Sequence, residues 1–218
     1  MIEFTDPYDG IETRPYPNSF SNYNLLMINA IIRDGVKTIV DPMAGTGSIT
    51  GIGDQYNYIC NELEPEWASQ IDPKHTVTIG DPRDVKLPDG DDYVVVMRPP
   101  NGDRRADVFH SKTRPEGMKG RFAGDLGRNL TEGSIAAQPF NSVYMDRMDE
   151  LFPLLFGQMN KDCRFILSVG NFTRGNDEIN VTGYYLNLFS KHNFVLETLI
   201  PILVQDDTVE SLMVWRKL

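Results

Sequence analysis

The chain has 218 residues, 40% of them hydrophobic and 24% charged, which is typical of a globular protein and unlike a disordered chain. This length suits one large α/β domain better than two. No apolar run approaches the ~18 residues that span a membrane, and the N-terminus lacks the basic and apolar regions of a secretory signal. With only two cysteines, a disulfide framework is not expected, and we expect a cytoplasmic protein.

The formal net charge of −10 argues against a protein that coats nucleic acid with a general basic surface. The charge is unevenly distributed along the chain, however. From Arg98 to Arg128 there are eight basic and four acidic residues, so this segment carries +4 and leaves −14 for the rest. We therefore expect a local basic loop on an acidic body.

The first half of the chain predicts an arm, a helix and four strands. Residues 1–20 are rich in Pro, Tyr and Asn and are typical of an extended arm. Apolar residues at helical spacing between Leu25 and Ile32 predict a helix that stops before Asp34-Gly35. Each of the four predicted strands ends in a polar or Pro/Gly cluster; the strands are residues 37–40, 56–60, 75–79 and 93–97.

The second half predicts a long loop and then further helices and strands. Residues 101–138 are too long for an ordinary connection and predict a basic insertion that contacts substrate. Pro153 is expected to kink or split the helix in which it lies. The predicted elements are a helix over 140–159, a strand over 165–169, a helix over 181–192 and two strands over 195–203 and 211–215.

Four successive strand and connection units predict a mostly parallel sheet with helices on both faces. The last two strands are close in sequence and predict a C-terminal antiparallel hairpin. The expected fold is therefore an α/β, doubly wound sheet of seven strands. Ligands bind such sheets at the carboxyl ends of the strands, so the clusters at the strand ends are the candidate site.

A glycine-rich turn, Asp41-Pro42-Met43-Ala44-Gly45-Thr46-Gly47, follows the first strand. Its glycines let the backbone approach a ligand closely. No Gly-Lys-Ser/Thr follows, so the turn is not a P-loop, and the next glycine comes one place too late for the dinucleotide fingerprint. Two glycines alone fit a tight strand-to-helix turn equally well.

Acidic residues follow the next two strands. Glu62 lies 21 positions after Asp41, and a carboxylate there can accept hydrogen bonds from both hydroxyls of a ribose. Asp81 follows the third strand, where a carboxylate can accept from an adenine amino group. Each acid alone is more typical of a solvated loop, but three in register at successive strand ends favour a nucleoside site.

Taken in order, DPMAGTG, NELEPE, GDP and the Pro-Pro pair after the fourth strand resemble motifs I to IV of S-adenosylmethionine-dependent methyltransferases. Within these, the chain resembles most closely the DNA amino-methyltransferases of prokaryotes and their phages, over residues 14–201. The resemblance implies a Rossmann-like methyltransferase fold as a single domain over residues 1–218. It also implies S-adenosyl-L-methionine as the cofactor and no metal.

The resemblance also implies a role for each motif. The implied cofactor-binding residues are Tyr16 and Pro17 of the arm, Asp41, Pro42, Ala44, Gly45, Thr46 and Gly47 at the methionine moiety, Glu62 at the ribose, and Asp81 with Pro82 at the adenine. The implied catalytic corner is Arg98, Pro99, Pro100 and Asn101.

That corner departs from the family pattern. In the family, an Asp, Asn or Ser before the Pro-Pro pair accepts from the target amine, and an aromatic residue after it stacks on the flipped base. Arg98 has only donors, and Asn101 has no ring. Asp103 is a candidate replacement for the acceptor, and the candidate stacking faces are Phe109, Phe122 and Tyr144.

The basic insertion follows the corner directly and predicts a nucleic-acid contact loop, although a solvated loop remains the alternative. The candidate substrate contacts are Arg104, Arg105, Phe109, His110, Arg114 and Arg121.

The function predicted from the resemblance is methyl transfer to a base amine, with DNA favoured over RNA as the partner. Alternatives are a guanine-specific RNA methyltransferase, a cofactor-binding protein that no longer methylates, and an enzyme whose Arg98 binds an anionic small or protein substrate. No membrane partner is expected, and a homodimer or a partner subunit could assist sequence readout.

Overall fold

The computed structural model describes Phe20, residues 22–100, Phe122 and residues 126–174, 177–203 and 209–218. The strands are β1 (Thr38–Asp41), β2 (Asn57–Glu62), β3 (Thr76–Ile79), β4 (Tyr93–Met97), β5 (Arg164–Gly170), β6 (Phe172–Arg174), β7 (Asp177–Ile179), β8 (Phe194–Leu203) and β9 (Val209–Lys217). The helices are α1 (Asn22–Ile31), α2 (Pro65–Ala68), α3 (Ser142–Gln158) and α4 (Val181–Ser190), with 3₁₀ turns at Ser48–Ile52, Pro82–Asp84 and Ile135–Ala137.

Seven strands form one sheet in the order β3-β2-β1-β4-β5-β9-β8. The first five strands pair in parallel, and β9 runs antiparallel to both β5 and β8. The predicted parallel sheet with a C-terminal hairpin is therefore confirmed. The chain order reverses between β1 and β4, the position at which doubly wound sheets bind ligands. A small additional sheet, β6 with β7, is not predicted from the sequence because strands of three residues carry too little pattern.

Alternate residues of the central strands enter two separate cores. Val94 and Val96 pack on the face that is covered by α1, whereas Val95 and Met97 pack on the face that is covered by α3 and α4. All four side chains are buried, and burying an aliphatic side chain of this size contributes about 1.5–3 kcal/mol. Both faces of the sheet are thus covered by helices, as predicted.

Two helix features have clear local causes. Helix α3 runs unbroken over 17 residues through Pro153, so it is not split there. Leu151, Phe152 and Leu155 flank the proline and are buried against the sheet, so tertiary packing holds the helix despite the lost backbone hydrogen bond. Helix α4 is followed by Asn193 in the left-handed region, with φ of 59°, which ends the helix near the predicted position.

Among the helices in the described ranges, none combines the length and the apolar character that crossing a bilayer requires.

Candidate functional site

A pocket of about 800 Å³, including space that is open to solvent, lies at the carboxyl ends of the parallel strands. Its lining residues are Pro42, Met43, Gly45, Glu62, Leu63, Trp67, Asp81, Pro82, Arg83, Arg98, Pro100, Gly133, Ser134, Ile135, Ala136, Arg147 and Leu151.

The turn after β1 is folded back against β2. The Ala44 N–H donates to the Asn61 carbonyl at 2.8 Å, and the Gly45 N–H donates to Glu62 Oε2 at 2.8 Å. At Gly47, with φ of 80°, an added Cβ would lie 2.9 Å from a side-chain carbon of Ile71. The left-handed backbone and the close packing together require glycine there, so this turn is specified by its glycines.

Glu62 is buried at the pocket wall, where its carboxylate accepts from two backbone N–H groups, those of Gly45 at 2.8 Å and Glu64 at 2.9 Å. Burial raises the pKa of Glu62 to about 7, and the backbone N–H groups around it oppose the rise. A carboxylate has about four acceptor sites. With the backbone N–H groups of Gly45, Leu63 and Glu64 around it, the Glu62 carboxylate retains acceptor capacity for a ligand hydroxyl.

Asp41, at the end of β1, is a second buried carboxyl beside the first. Its Oδ1 accepts from the Met43 N–H at 3.0 Å. Burial raises the pKa of Asp41 to about 7, with the Met43 N–H opposing the rise and the nearby charge of Glu62 adding to it. The charge of Glu62 thus disfavours ionisation of Asp41, so a proton or another cation close to this turn is favourable.

Asn61 ties three strand ends together, a role that the sequence analysis missed. Its Nδ2 donates to the carbonyls of Pro42 at 3.1 Å and Gly80 at 3.0 Å, and its Oδ1 accepts from Thr78 Oγ1 at 2.8 Å. The side chain is buried. The available signal was an asparagine directly after the apolar run of β2, where a buried amide must find partners.

Asp81 lines the pocket beside Arg83, another residue that the sequence analysis missed. The Asp81 carboxylate accepts from the Arg83 backbone N–H at 2.9 Å, from Nε at 2.9 Å and from Nη2 at 2.8 Å. These hydrogen bonds from Arg83 lower the pKa of Asp81. Arg83 also reaches Glu150 on α3 at 3.1 Å, so this side of the pocket is built from fixed charges.

At the corner after β4, Arg98 forms an ion pair with Glu210 at the start of β9. The two side chains are only 18% and 10% exposed. Glu210 Oε2 also accepts from Asn24 Nδ2 on α1 at 2.7 Å. Part of the Arg98 guanidinium is therefore engaged by Glu210, and the side chain also lines the pocket.

The two described stacking candidates do not face the pocket as stacking platforms. Tyr144 is fully buried, its hydroxyl donating to the Pro100 carbonyl at 2.8 Å and lying 2.7 Å from that of Tyr185. Phe122 is buried against Trp67, with ring centroids 5.3 Å apart. The expectation that Tyr144 and Phe122 stack on a base is therefore corrected, because both rings pack in apolar clusters.

Part of the basic segment is also neutralised inside the fold. Arg98 pairs with Glu210, and Arg128 pairs with Glu64 and Glu66. These two arginines were counted in the +4 of the segment, and residues 101–125 between them carry +2. The electrostatic case for a nucleic-acid contact is correspondingly smaller than the sequence count indicates.

The structure brings some of the predicted site residues together on the pocket wall and leaves others behind it. Those on the wall are Pro42, Gly45, Glu62, Asp81, Pro82, Arg98 and Pro100. Those outside the lining are Asp41, Ala44, Thr46, Gly47 and Pro99. Those outside the described residues are Tyr16, Pro17, Asn101, Arg104, Arg105, Phe109, His110, Arg114 and Arg121, as is the candidate acceptor Asp103.

Lining residues that the sequence analysis did not assign to the site are Met43, Leu63, Trp67, Arg83, Arg147, Leu151 and the run from Gly133 to Ala136. Trp67 both packs in a small apolar cluster and lines the pocket. Within the described ranges, no group of three or more His, Cys, Asp or Glu side chains is arranged to hold a metal ion.

Comparison of the sequence with protein-family models and with curated proteins finds no match. Solved structures do match. A TehB-like S-adenosylmethionine-dependent methyltransferase from Corynebacterium glutamicum is 15% identical with a TM-score of 0.52, over 89% of this chain and 86% of that one. A precorrin-6y C5,15-methyltransferase from Geobacter metallireducens is 11% identical with a TM-score of 0.53, over 96% of both chains. A tRNA methyltransferase from B. subtilis is 10% identical with a TM-score of 0.52, over 88% of this chain and 64% of that one. The fold is thus the Rossmann-like fold of S-adenosylmethionine-dependent methyltransferases.

Proposed function

We propose that this protein binds S-adenosyl-L-methionine in the pocket and transfers its methyl group to a nucleic-acid base amine, with DNA favoured over RNA. The observation that carries the proposal is the buried Glu62 carboxylate. It lies on the pocket wall at the end of β2, beside the point where the chain order reverses, and is hydrogen-bonded to the glycine turn after β1.

The residues present fit this cofactor. Glu62 would accept from the ribose hydroxyls, and the remaining acceptor capacity of Asp81 would serve the adenine amine. Leu63, Pro82 and Ile135 offer apolar surface for the purine ring. The cofactor supplies a methyl group on a positively charged sulfur, and the paired acids Asp41 and Glu62 make the turn favourable for a cation.

The chain's own contribution to methyl transfer would be mainly positional. Transfer requires the acceptor nitrogen and the methyl group to approach in line, and fixing two reactants removes a large entropic barrier. The Pro99-Pro100 corner is rigid for this purpose, because Tyr144 donates to the Pro100 carbonyl and is itself fixed by Tyr185. Glu62, Asp81 and this corner lie around one pocket, as such positioning requires.

Two observations support a nucleic-acid acceptor. The Pro-Pro pair after β4 resembles the corner at which amino-methyltransferases hold a flipped base. The insertion that follows that corner directly in the sequence contains further cations: Arg104, Arg105, Lys112, Arg114, Lys119 and Arg121. Such side chains bind phosphates and stack on bases.

The ion pair of Arg98 favours a second candidate function. The family places an acceptor oxygen at this position, and the guanidinium of Arg98 has none and is engaged by Glu210. A protein that binds the cofactor without methylating a base would have this arrangement. It would then act as a binding or regulatory module.

Incubation with methyl-labelled S-adenosylmethionine distinguishes the two candidates. The full chain is mixed with DNA, with RNA or with neither, and label is counted in the nucleic acid after purification. Label in DNA above that in RNA supports the proposal. Binding of cofactor without label in either polymer supports the binding module, and absence of cofactor binding rejects both.

A further inference from the structure

Residues 126–136, here called the wall segment, are anchored to α2 around the buried carboxylate of Glu64. That side chain is 1% exposed. It accepts from Arg128 Nη2 at 2.7 Å, from the Thr131 N–H at 2.9 Å and from Thr131 Oγ1 at 2.7 Å. A buried carboxylate is costly unless it is paired and hydrogen-bonded. Glu64 therefore holds the wall segment in place.

Arg128 spans two carboxylates. Besides Glu64, it contacts Glu66 through Nε at 2.7 Å and Nη2 at 2.5 Å, and its Nη1 donates to the Asn129 carbonyl at 2.8 Å. All three guanidinium nitrogens are thus engaged. Only arginine offers this planar set of donors, and a lysine would supply a single point charge.

This anchor is joined directly to the pocket on both sides. On one side, the Glu64 backbone N–H donates to Glu62 Oε1 at 2.9 Å, and Trp67 of α2 lines the pocket. On the other side, the wall segment supplies four lining residues, from Gly133 to Ala136. The carboxylate expected to hold the ribose and the wall that faces it are therefore linked through Glu64 and Arg128.

We propose that Arg128 is a positioning residue for this pocket: by bridging Glu64 and Glu66 it holds the wall segment against the bound cofactor and slows cofactor release. The inference rests on the proposed function, since it takes S-adenosylmethionine as the occupant. It also removes Arg128 from the cations that are available to a nucleic-acid backbone. Its role is to keep the wall closed on the ligand.

Arg216 provides a matched control. It also bridges two carboxylates, Asp162 at 3.0 Å and Glu197 at 2.9 Å, and is 33% exposed where Arg128 is 36% exposed. It lies near the end of β9, outside the pocket lining. The carboxylates that it bridges, at 53% and 22% exposed, are less buried than Glu64, so Arg216→Gln controls for the loss of a bridging arginine outside the pocket lining.

The test measures S-adenosylhomocysteine affinity and release rate for the full chain and for Arg128→Gln, Arg128→Lys, Thr131→Val and Arg216→Gln. We expect Arg128→Gln to weaken binding about fivefold or more through faster release. Arg128→Lys should have an intermediate affinity, and Thr131→Val should weaken binding less than Arg128→Gln does. The affinity of Arg216→Gln should be unchanged.

A folded Arg128→Gln with wild-type affinity would overturn the proposal. If that variant does not fold, wild-type affinity in both Arg128→Lys and Thr131→Val would do the same.

Amide hydrogen exchange of the unliganded proteins separates this inference from the proposed function. Arg128→Gln should speed exchange in residues 126–136 and leave β5 and β9 unchanged, whereas Arg216→Gln should leave 126–136 protected. If the wild-type protein does not bind S-adenosylhomocysteine, the proposed function fails. Hydrogen exchange alone then tests whether Arg128 holds the wall segment in place. Unchanged protection of the wall segment in Arg128→Gln would overturn that role.

Discussion

Glu62 combines the two properties that a ligand-binding carboxylate needs, burial and a fixed orientation. Gly45 and Glu64 orient it through backbone N–H groups, and burial raises its pKa to about 7. The same burial makes its charge state depend on pH near neutrality. The affinity of the pocket for its ligand should therefore increase with pH near neutrality.

Affinity for S-adenosylhomocysteine should rise as the pH increases from 6 to 8. At a pH below the Glu62 pKa of about 7, Glu62 is protonated in the free protein. A neutral carboxyl accepts more weakly from ligand hydroxyls than a carboxylate does. Calorimetric titrations at several pH values measure this change. Glu62→Gln does not titrate, so it should remove the Glu62 contribution and leave only the dependence due to Asp41 and to the ligand. An equal pH dependence in both proteins would contradict this role.

The ion pair between Arg98 and Glu210 should be revealed by exchanging its charges. Arg98→Glu alone places two partly buried carboxylates together and should cost about 3 kcal/mol of unfolding free energy. Glu210→Arg alone should have a comparable effect. The double variant restores an opposite pair, and Asn24 can present its carbonyl instead of its amide, so much of the loss should be recovered. Urea unfolding of the four proteins checks this. Additive losses in the double variant would show that the two side chains are not coupled.

At the scale of secondary structure, the sequence predicts most elements because their signals are local. The run Tyr93–Met97 is β-branched and apolar, and it forms β4 with those bounds. The spacing of Tyr144, Met148, Leu151 and Leu155 predicts α3, in which all four are buried. The wall segment has no comparable periodicity. Its conformation depends on Glu64, more than sixty residues earlier in the chain, and such long-range pairing leaves no local pattern.

The turn between α4 and β8 should depend on a left-handed residue. Asn193 has φ of 59°, a conformation that asparagine tolerates and that β-branched residues do not. Asn193→Gly should change the unfolding free energy by less than about 0.5 kcal/mol, whereas Asn193→Val should lower it by about 1–2 kcal/mol. Thermal unfolding of both variants tests this. An equal effect of glycine and valine would show that the backbone conformation does not limit stability here.

At the scale of the whole molecule, the topology explains which part of the site can be predicted. Parallel strands end at the same edge of a sheet, so Asp41, Glu62 and Asp81 could be expected near one another from strand order alone. Arg83 and Arg147 could not, because a cation near a helix start or on a helix surface is most often solvated. Their place on the pocket wall follows from how Pro82–Asp84 and α3 pack together.

The charge distribution predicts how nucleic-acid binding should respond to salt. If the insertion neutralises phosphates, affinity should fall steeply with ionic strength. Replacing Arg104, Arg105 and Arg114 together with alanine should flatten that slope by about two to three units while cofactor affinity is unchanged. The matched control replaces Lys37, Lys161 and Lys191, which precede β1, β5 and β8 at the opposite edge of the sheet. Equal effects of the two triple variants would show that the insertion is not the contact.

The central claim is that the pocket at the strand ends holds the methyl-donor cofactor through Glu62. Isothermal titration calorimetry with S-adenosylhomocysteine tests it most directly, on the full chain, on Glu62→Ala and on the exposed-site control Glu178→Ala, with folding verified by circular dichroism. We expect one site per chain in the wild type and in Glu178→Ala, and binding weakened at least about tenfold in a folded Glu62→Ala. No heat of binding in the wild type, or undiminished affinity in Glu62→Ala, would contradict it.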